Sequence, residues 1–489
     1  MRSLRIKRLK IALMAWLLFS VLPSIMQASD AGRGDLITLP NGYKYRFSGI
    51  TFGTNHEHGP VGARLVSSLP DPAEDFIKKQ LGNRVGQVES VHTSEPSICI
   101  WFDPVKAEAK ATNSQPYYII AMMADAAGTF AGTYDEIGAA PNQPFHLLFW
   151  AAPRRDSKLE VAFFRVLNMN QAGINANQPG GEIGRVRVPN ALHGRYPQWQ
   201  PDTPATGVKV VGDVEVHLSN FLSGVTYQTN GGRASRPARP GEEATTSFDV
   251  SLRTRKGEKG TWVIDRVELS DATGNHLFEN LDTVRRYQSQ NWIRGSLWPD
   301  EGAWSLKMGL KRRVPAVLST GASRQKFVPE DYGLSSEELL TFSNVPVLSA
   351  SATNDLWFTN SVGGTRVIMR EYVTETILRQ KIGSITQPNS ALKFHAESAD
   401  GSKGISVDFL EATSPEGERQ TAQTDVMITT GLVIGPRGLP LALNQPISRD
   451  HGYVVTEMQR PAAPVTAVNV TWVVQRTRPV EFLLKPPGR

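Results

Sequence analysis

Cysteine is almost absent: Cys99 is the only one in 489 residues. One cysteine forms no intrachain disulfide and cannot build a structural zinc cluster, so a cysteine-stapled scaffold and a zinc-finger fold are both excluded. It lies in Ile98-Cys99-Ile100-Trp101-Phe102, an apolar run that reads as a buried strand, and a small buried side chain is its simplest role. Histidine is also scarce, with nine residues, and no pair shows the zinc-peptidase spacing of two histidines four apart on a helix. Gly-x-Ser-x-Gly is missing, and so is the phosphate-cradling Gly-x-x-x-x-Gly-Lys-Ser/Thr loop. No helix-turn-helix, zinc-finger spacing or RNA-binding aromatic motif is present, so nucleic acid is not an expected partner.

A true excess of positive charge is lacking too. The formal charge is +6, but Arg2, Arg5, Lys7, Arg8 and Lys10 supply five basic residues before position 28, with no acid among them. The rest of the chain is close to neutral, which weakens any polyanion or membrane-surface reading of the bulk charge. These five residues precede a nearly unbroken apolar run from Ile11 to Met26, followed by Gln27, Ala28 and Ser29. That is the layout of an export signal. Cleavage after Ala28 fits best, and an uncleaved anchor with Pro23 breaking its outer end is the rival. The expected location is therefore periplasm, cell envelope or outside the cell, with residues 1–28 the only membrane-contact candidate.

Beyond Ser29 the chain is patterned for sheets. The expected fold is mainly β: three tandem antiparallel β-sandwich-like domains with a few short helices, over residues 33–182, 205–348 and 349–489, with a linker at 183–204. Leu39-Pro40-Asn41-Gly42 marks a hairpin, after which Tyr43, Tyr45 and Phe47 alternate with polar residues and Gly49 suggests a bend or bulge. Short helices are expected at Pro72 to Leu81, with Asp71 as its cap, and within Glu371 to Ile382. Phe145 to Ala151 is expected to pair with Leu159 to Leu167 across Pro153-Arg154-Arg155-Asp156-Ser157. Alternation is clear at Val214-Val216-Leu218, at Trp304-Leu306-Met308 and above all at Val468-Val470-Trp472-Val474. A faint echo at an offset of 143 aligns Asp265, Val267, Glu268 and Gly274 with Asp408, Leu410, Glu411 and Gly417. Its acids read as turn-capping or surface groups.

Two segments stand out for chemistry. In Thr54-Asn55-His56-Glu57-His58-Gly59-Pro60, His56 and His58 face one side if the segment is a strand. They would bind a transition metal if a third ligand arrived, with His92, His146 and His217 as distant contributors. The competing reading is a polar turn-forming loop. In the segment from Asn291 to Asp300, Trp292 and Trp298 would stack on a sugar or a protein partner if exposed, with Arg294 and Asp300 adding polar contacts. The competing reading is that both rings cap a core. No pattern names a cofactor. The expectation is a noncatalytic exported β-protein that supports structure or binds an envelope protein or glycan. A carbohydrate-binding protein using Trp292 and Trp298 is the first alternative, and a metal-dependent hydrolase using His56 and His58 the second.

Overall fold

The computed structural model describes residues 36–39, 42–59, 89–105, 117–132, 135–139, 144–166, 179–202, 207–227, 235–242, 244–255, 259–280, 291–314, 328–349, 354–376, 389–399, 404–413, 415, 453–459 and 466–486. The segment at 1–28 and the expected helix at 72–81 lie outside them. The protein is mainly β, with six antiparallel sheets among the described residues and a sandwich-like, multidomain arrangement. Among the described residues there is no α-helix; Pro329–Tyr332 and Ser336–Glu338 form short 3-10 turns. No helix among them is long and apolar enough to cross a membrane.

The first unit contains β1 (Leu36–Thr38), β2 (Lys44–His58), β3 (Glu89–Val105), β4 (Tyr117–Ala124), β5 (Asp135–Ala139), β6 (Phe145–Phe149), β7 (Lys158–Val166) and β8 (Pro179–Pro189). They form two sheets, β1-β2-β3-β6 and β5-β4-β7-β8. Their facing sides share one core that includes Tyr45, Phe47, Phe102, Phe149, Leu159, Val161 and Phe163. Gly42, at a positive φ of 86°, closes the β1–β2 hairpin. The register slips between Phe47 and Gly49, so the bulge falls at the expected glycine. One expected pairing is wrong. Strand β6 pairs with β3, and β7 pairs with β4 and β8. The chain changes sheets at Ala151 to Pro153, because the apolar sides of β6 and β7 face each other across the core rather than sharing a sheet.

The second unit adds β9 (Val208–Val211), β10 (Val214–Tyr227), β11 (Ser235–Pro237), β12 (Thr245–Thr254), β13 (Trp262–Asp271), β14 (His276–Asn280), β15 (Asn291–Arg294) and β16 (Trp304–Arg312). The third adds β17 (Leu339–Pro346), β18 (Leu356–Val362), β19 (Thr365–Thr376), β20 (Asn389–Ser398), β21 (Ile405–Thr413), β22 (Tyr453–Gln459) and β23 (Ala467–Arg476), and β24 (Arg478–Leu484) comes last. The expected boundaries shift here. Strand β17 pairs with β23 of the third unit, and β24 returns to pair with β16 of the second. Val480, Phe482 and Leu484 bury their side chains against Leu306 and Met308 in the second core, worth about 1.5–3 kcal/mol each. That burial fixes where the strand docks. The expected linker also starts too early, since β8 runs to Pro189 and pairs with β7. Residues 190–202 pack rather than dangle: Arg155 donates to the carbonyls of Tyr196 and Pro197 and pairs with Glu301 at 2.7 Å.

The expected helix within Glu371 to Ile382 is strand as far as Thr376; residues 377–388 lie outside the described set. Val373, Thr374 and Thr376 are β-branched, and their stiff χ1 favours the extended backbone. Two of the four acids of the 143-residue echo are not surface groups either. Asp265 and Asp408 converge on the buried Lys311 ammonium, at 2.9 and 2.8 Å, where the second and third units meet. Beside them the Gln475 side-chain amide bonds both backbone groups of Arg312, at 2.9 and 3.0 Å, extending strand-like pairing across the junction. Asp213 takes ion pairs from Arg312 and Arg478, which also lie over the Trp262 ring at 4.2 and 4.5 Å.

Candidate functional site

His56 and His58 do lie on a strand and do face one side, but that side is turned onto the protein itself. Ten residues of straight strand would separate Ser48 from His58 by about 33 Å. Instead Ser48 Oγ lies 3.2 Å from His58 Nε2. The β2–β3 hairpin folds back near Gly53 and Thr54, where its register slips, and lays its tip over the outer face of its own sheet. His58 stacks on Trp101 with centroids 4.8 Å apart, and His146 tilts against the same indole at 5.1 Å. Val91, Cys99, Trp101 and Leu148 form a small second core under the tip. Cys99 is buried there, and burial pushes its thiol well above the ordinary range, which makes it an unreactive group.

The polar groups of this fold-back are matched to each other. His56 is fully buried, with Nδ1 2.9 Å from Thr51 Oγ1 and Nε2 2.9 Å from Ser97 Oγ. Trp101 Nε1 donates to the same Thr51 hydroxyl at 3.2 Å. Burial holds the His56 and His146 imidazoles below their ordinary range. His58 pairs with Asp103 at 3.0 Å, and that hydrogen bond holds the carboxyl below its usual value. Ser48 and Asp103 both approach His58 Nε2, which is not the two-nitrogen arrangement of a serine–histidine–acid triad. His92 bonds Asn55 at 2.7 Å, and His217 is in the second unit beside Glu215. Among the described residues no group of three or more His, Cys, Asp or Glu is placed to hold a metal ion.

The tryptophan segment resolves differently. Trp298 is buried in the second core and presents no face for stacking. Its indole caps the core beside Gly132 of the first unit, 3.5 Å from where a Cβ there would sit. A stacking platform needs an exposed ring, so Trp298 is removed from that role; the Trp292 side chain lies outside the described residues. Arg294 and Asp300 are exposed at either end of the segment.

The residues between those rings line something the sequence did not disclose. A cleft of about 410 Å³ opens between the first and second units. Met122 and Phe130 face Val225, Leu297, Pro299 and Trp304 across it, and Thr129, Ser296, Arg239 and Glu242 add polar groups. Its size and its place between units are those of a ligand site. The walls are fixed. Gly132 and Ser296 form a β-bridge between the units. Gly295, at a φ of 92°, allows that approach, since a Cβ there would lie 2.7 Å from the Gly132 carbonyl oxygen. Gly241 N–H donates to Met122 Sδ at 3.1 Å, and the Arg185 guanidinium lies 5.7 Å from the centre of the Phe130 ring. Asn275 ties the units a second time, accepting from Ala152 N–H at 2.9 Å and donating to its carbonyl at 2.7 Å.

One wall of this cleft was within reach of the sequence, through the segment holding Ser296, Leu297 and Pro299, but for the wrong side chains. Phe130 and Arg239 were missed. The only local signal was Pro237-Ala238-Arg239-Pro240-Gly241, a turn whose contact with the first unit no spacing encodes. The exposed Trp357, stacked by Arg370 at 5.3 Å, was missed as well. No protein-family model matches the chain, and no curated protein matches it.

Proposed function

We propose that this chain is an exported, noncatalytic binding protein built of three β-sandwich domains in tandem after a signal segment in residues 1–28. Its ligand site in this reading is the cleft between the first two units. The observation that carries the proposal is a preformed, mixed apolar and polar cavity whose two walls come from different units and are locked together by backbone bridging. Such a site binds without needing an acid–base pair or a nucleophile, and the histidines of the fold-back hairpin are absorbed in packing. The envelope or the space beyond it supplies the partners, protein or glycan.

Two measurements test it. Fusing residues 1–28 to alkaline phosphatase, which is active only after export, should give phosphatase activity; silence of the fusion removes the export half. Hydrogen exchange of the full chain against a library of small organic acids and oligosaccharides should show protection at 128–130, 237–242 and 296–299. Protection confined to other segments removes the cleft half.

A further inference from the structure

The chemistry of the cleft narrows what fits it. Many backbone donors along its walls are already used. Gly128 and Thr129 N–H go to Asp125, Ala238 N–H to the Gly224 carbonyl, and Gly241 N–H to Met122. Glu242 N–H goes to the Arg239 carbonyl, and Ser296 N–H to that of Gly132. Pro237, Pro240 and Pro299 have no N–H to offer. An extended peptide adding to a sheet needs a run of free backbone donors and acceptors, and prolines and internal bonds break up that run along this cleft. Recognition must come from side chains.

Those side chains are an aromatic ring, prolyl and aliphatic surface, two hydroxyls and a guanidinium. Phe130 is half-buried and held in place by Arg185 behind it. The Arg239 side chain is exposed at the rim and makes no ion pair or hydrogen bond among the described residues. Glu242 shares the rim, but its Oε2 is held by the Arg239 N–H at 2.9 Å rather than by the guanidinium. Thr129 and Ser296 line the same space. A pyranose ring with an apolar C–H face, several hydroxyls and one carboxylate matches this set: the C–H face against Phe130, hydroxyls to Thr129, Ser296 and Glu242, the carboxylate on the planar Arg239 fork.

Resting on the reading of the cleft as a ligand site, we propose that it binds the uronic-acid units of an acidic glycan. The probes are a galacturonic acid trimer, the neutral cellotriose, and the amphiphilic anionic dye anilinonaphthalene sulfonate, each titrated against the full chain by calorimetry with exchange mapping. The acidic trimer should bind at 128–130 and 237–242, at least tenfold more tightly than cellotriose. Arg239→Gln should erase most of that preference, a loss of about tenfold or more for a charge-assisted hydrogen bond, with an unchanged thermal midpoint because the side chain is exposed. Phe130→Leu should weaken both sugars and leave the acidic preference in place. Equal binding of both sugars, unaffected by Arg239→Gln, overturns the acidic class. No sugar binding, with the dye protecting the cleft segments, overturns the glycan inference and leaves the ligand site standing. Neither sugar nor dye at the cleft overturns both.

Discussion

Glu371 gives the sharpest handle on stability. It lies on the core side of β19, after Val367 and Met369, fully buried, and its Oε1 accepts one backbone N–H, from Leu348, at 3.3 Å. Its Oε2 has no hydrogen-bond partner among the described residues. Burial raises this carboxyl from 4.5 to about 7. Because the folded value lies above the unfolded one, its contribution is fully present below pH 4.5 and is lost as the pH rises through 7. Between pH 5 and pH 8 the third unit should lose about 2 to 3 kcal/mol from this group alone. Glu371→Gln keeps an acceptor for Leu348 N–H and removes the titration. Its amide carries a pH-independent cost of about 1–3 kcal/mol for a buried unsatisfied donor, so the decisive quantity is the difference between the two pH values. A chain of several units need not unfold in two states, so hydrogen exchange on β19 and β20, corrected for intrinsic rates, is the right assay. Wild type should lose protection at pH 8 and Glu371→Gln should hold it. A flat wild-type response, or the same slope in both proteins, refutes the reasoning.

Three further outcomes are expected. Trp298→Ala should cost about 3–5 kcal/mol in urea unfolding, because it empties a core rather than a binding surface; unchanged stability would return the ring to a surface role. Lys311→Met should cost about 3 kcal/mol by leaving Asp265 and Asp408 unpaired, and adding Asp265→Asn with Asp408→Asn should recover most of it. Acidification should loosen the fold-back hairpin. The folded values of His56 and His146 are lowered, so their contribution is present above about pH 6.5 and fades as the pH falls below it. Cys99, the one thiol, lies beneath that hairpin. Its labelling by 4,4′-dithiodipyridine, taken as a ratio to the rate for the urea-unfolded chain at each pH because acid depletes the reactive thiolate, should therefore quicken from pH 7 to pH 5; a constant or falling ratio means the hairpin stays shut.

Alternation along single strands was legible because a half-buried strand writes its two faces into its residues. Val214, Val216 and Leu218 are buried while Glu215 and His217 between them are not, and Val468 to Trp472 behaves alike, whereas Val473 and Val474 are buried on both faces. The bulge at Gly49 was legible; in β13 a slip at Asp265 hands the buried side from Trp262 to Val267 and Leu269. Partners were not legible. Phe145 to Phe149 carries the same pattern whether it pairs with β3 or β7, and only the layering of the whole unit decides. The histidine pair was placed correctly on one strand face, yet the fold-back that sets Trp101 opposite it depends on a slip between Gly53 and Asn55 that no local propensity announces. The cleft was least legible, since its walls meet through long-range contacts such as the Gly132–Ser296 bridge and the Gly241–Met122 hydrogen bond, which no sequence spacing encodes.

The return of β24 to the second unit has a consequence for the order in which this polypeptide can be completed. The middle sheet β14-β13-β16-β24 needs residues 478–484, which emerge after every strand of the third unit has been made. N-terminal units generally finish first as a chain is synthesised. Here the second must wait with β16 unpaired on one side while more than a hundred and sixty residues, Arg313 to Thr477, pass by. Such a strand is a template for mispairing during that interval. Clipping the chain after Arg476 would therefore wound its middle rather than its end.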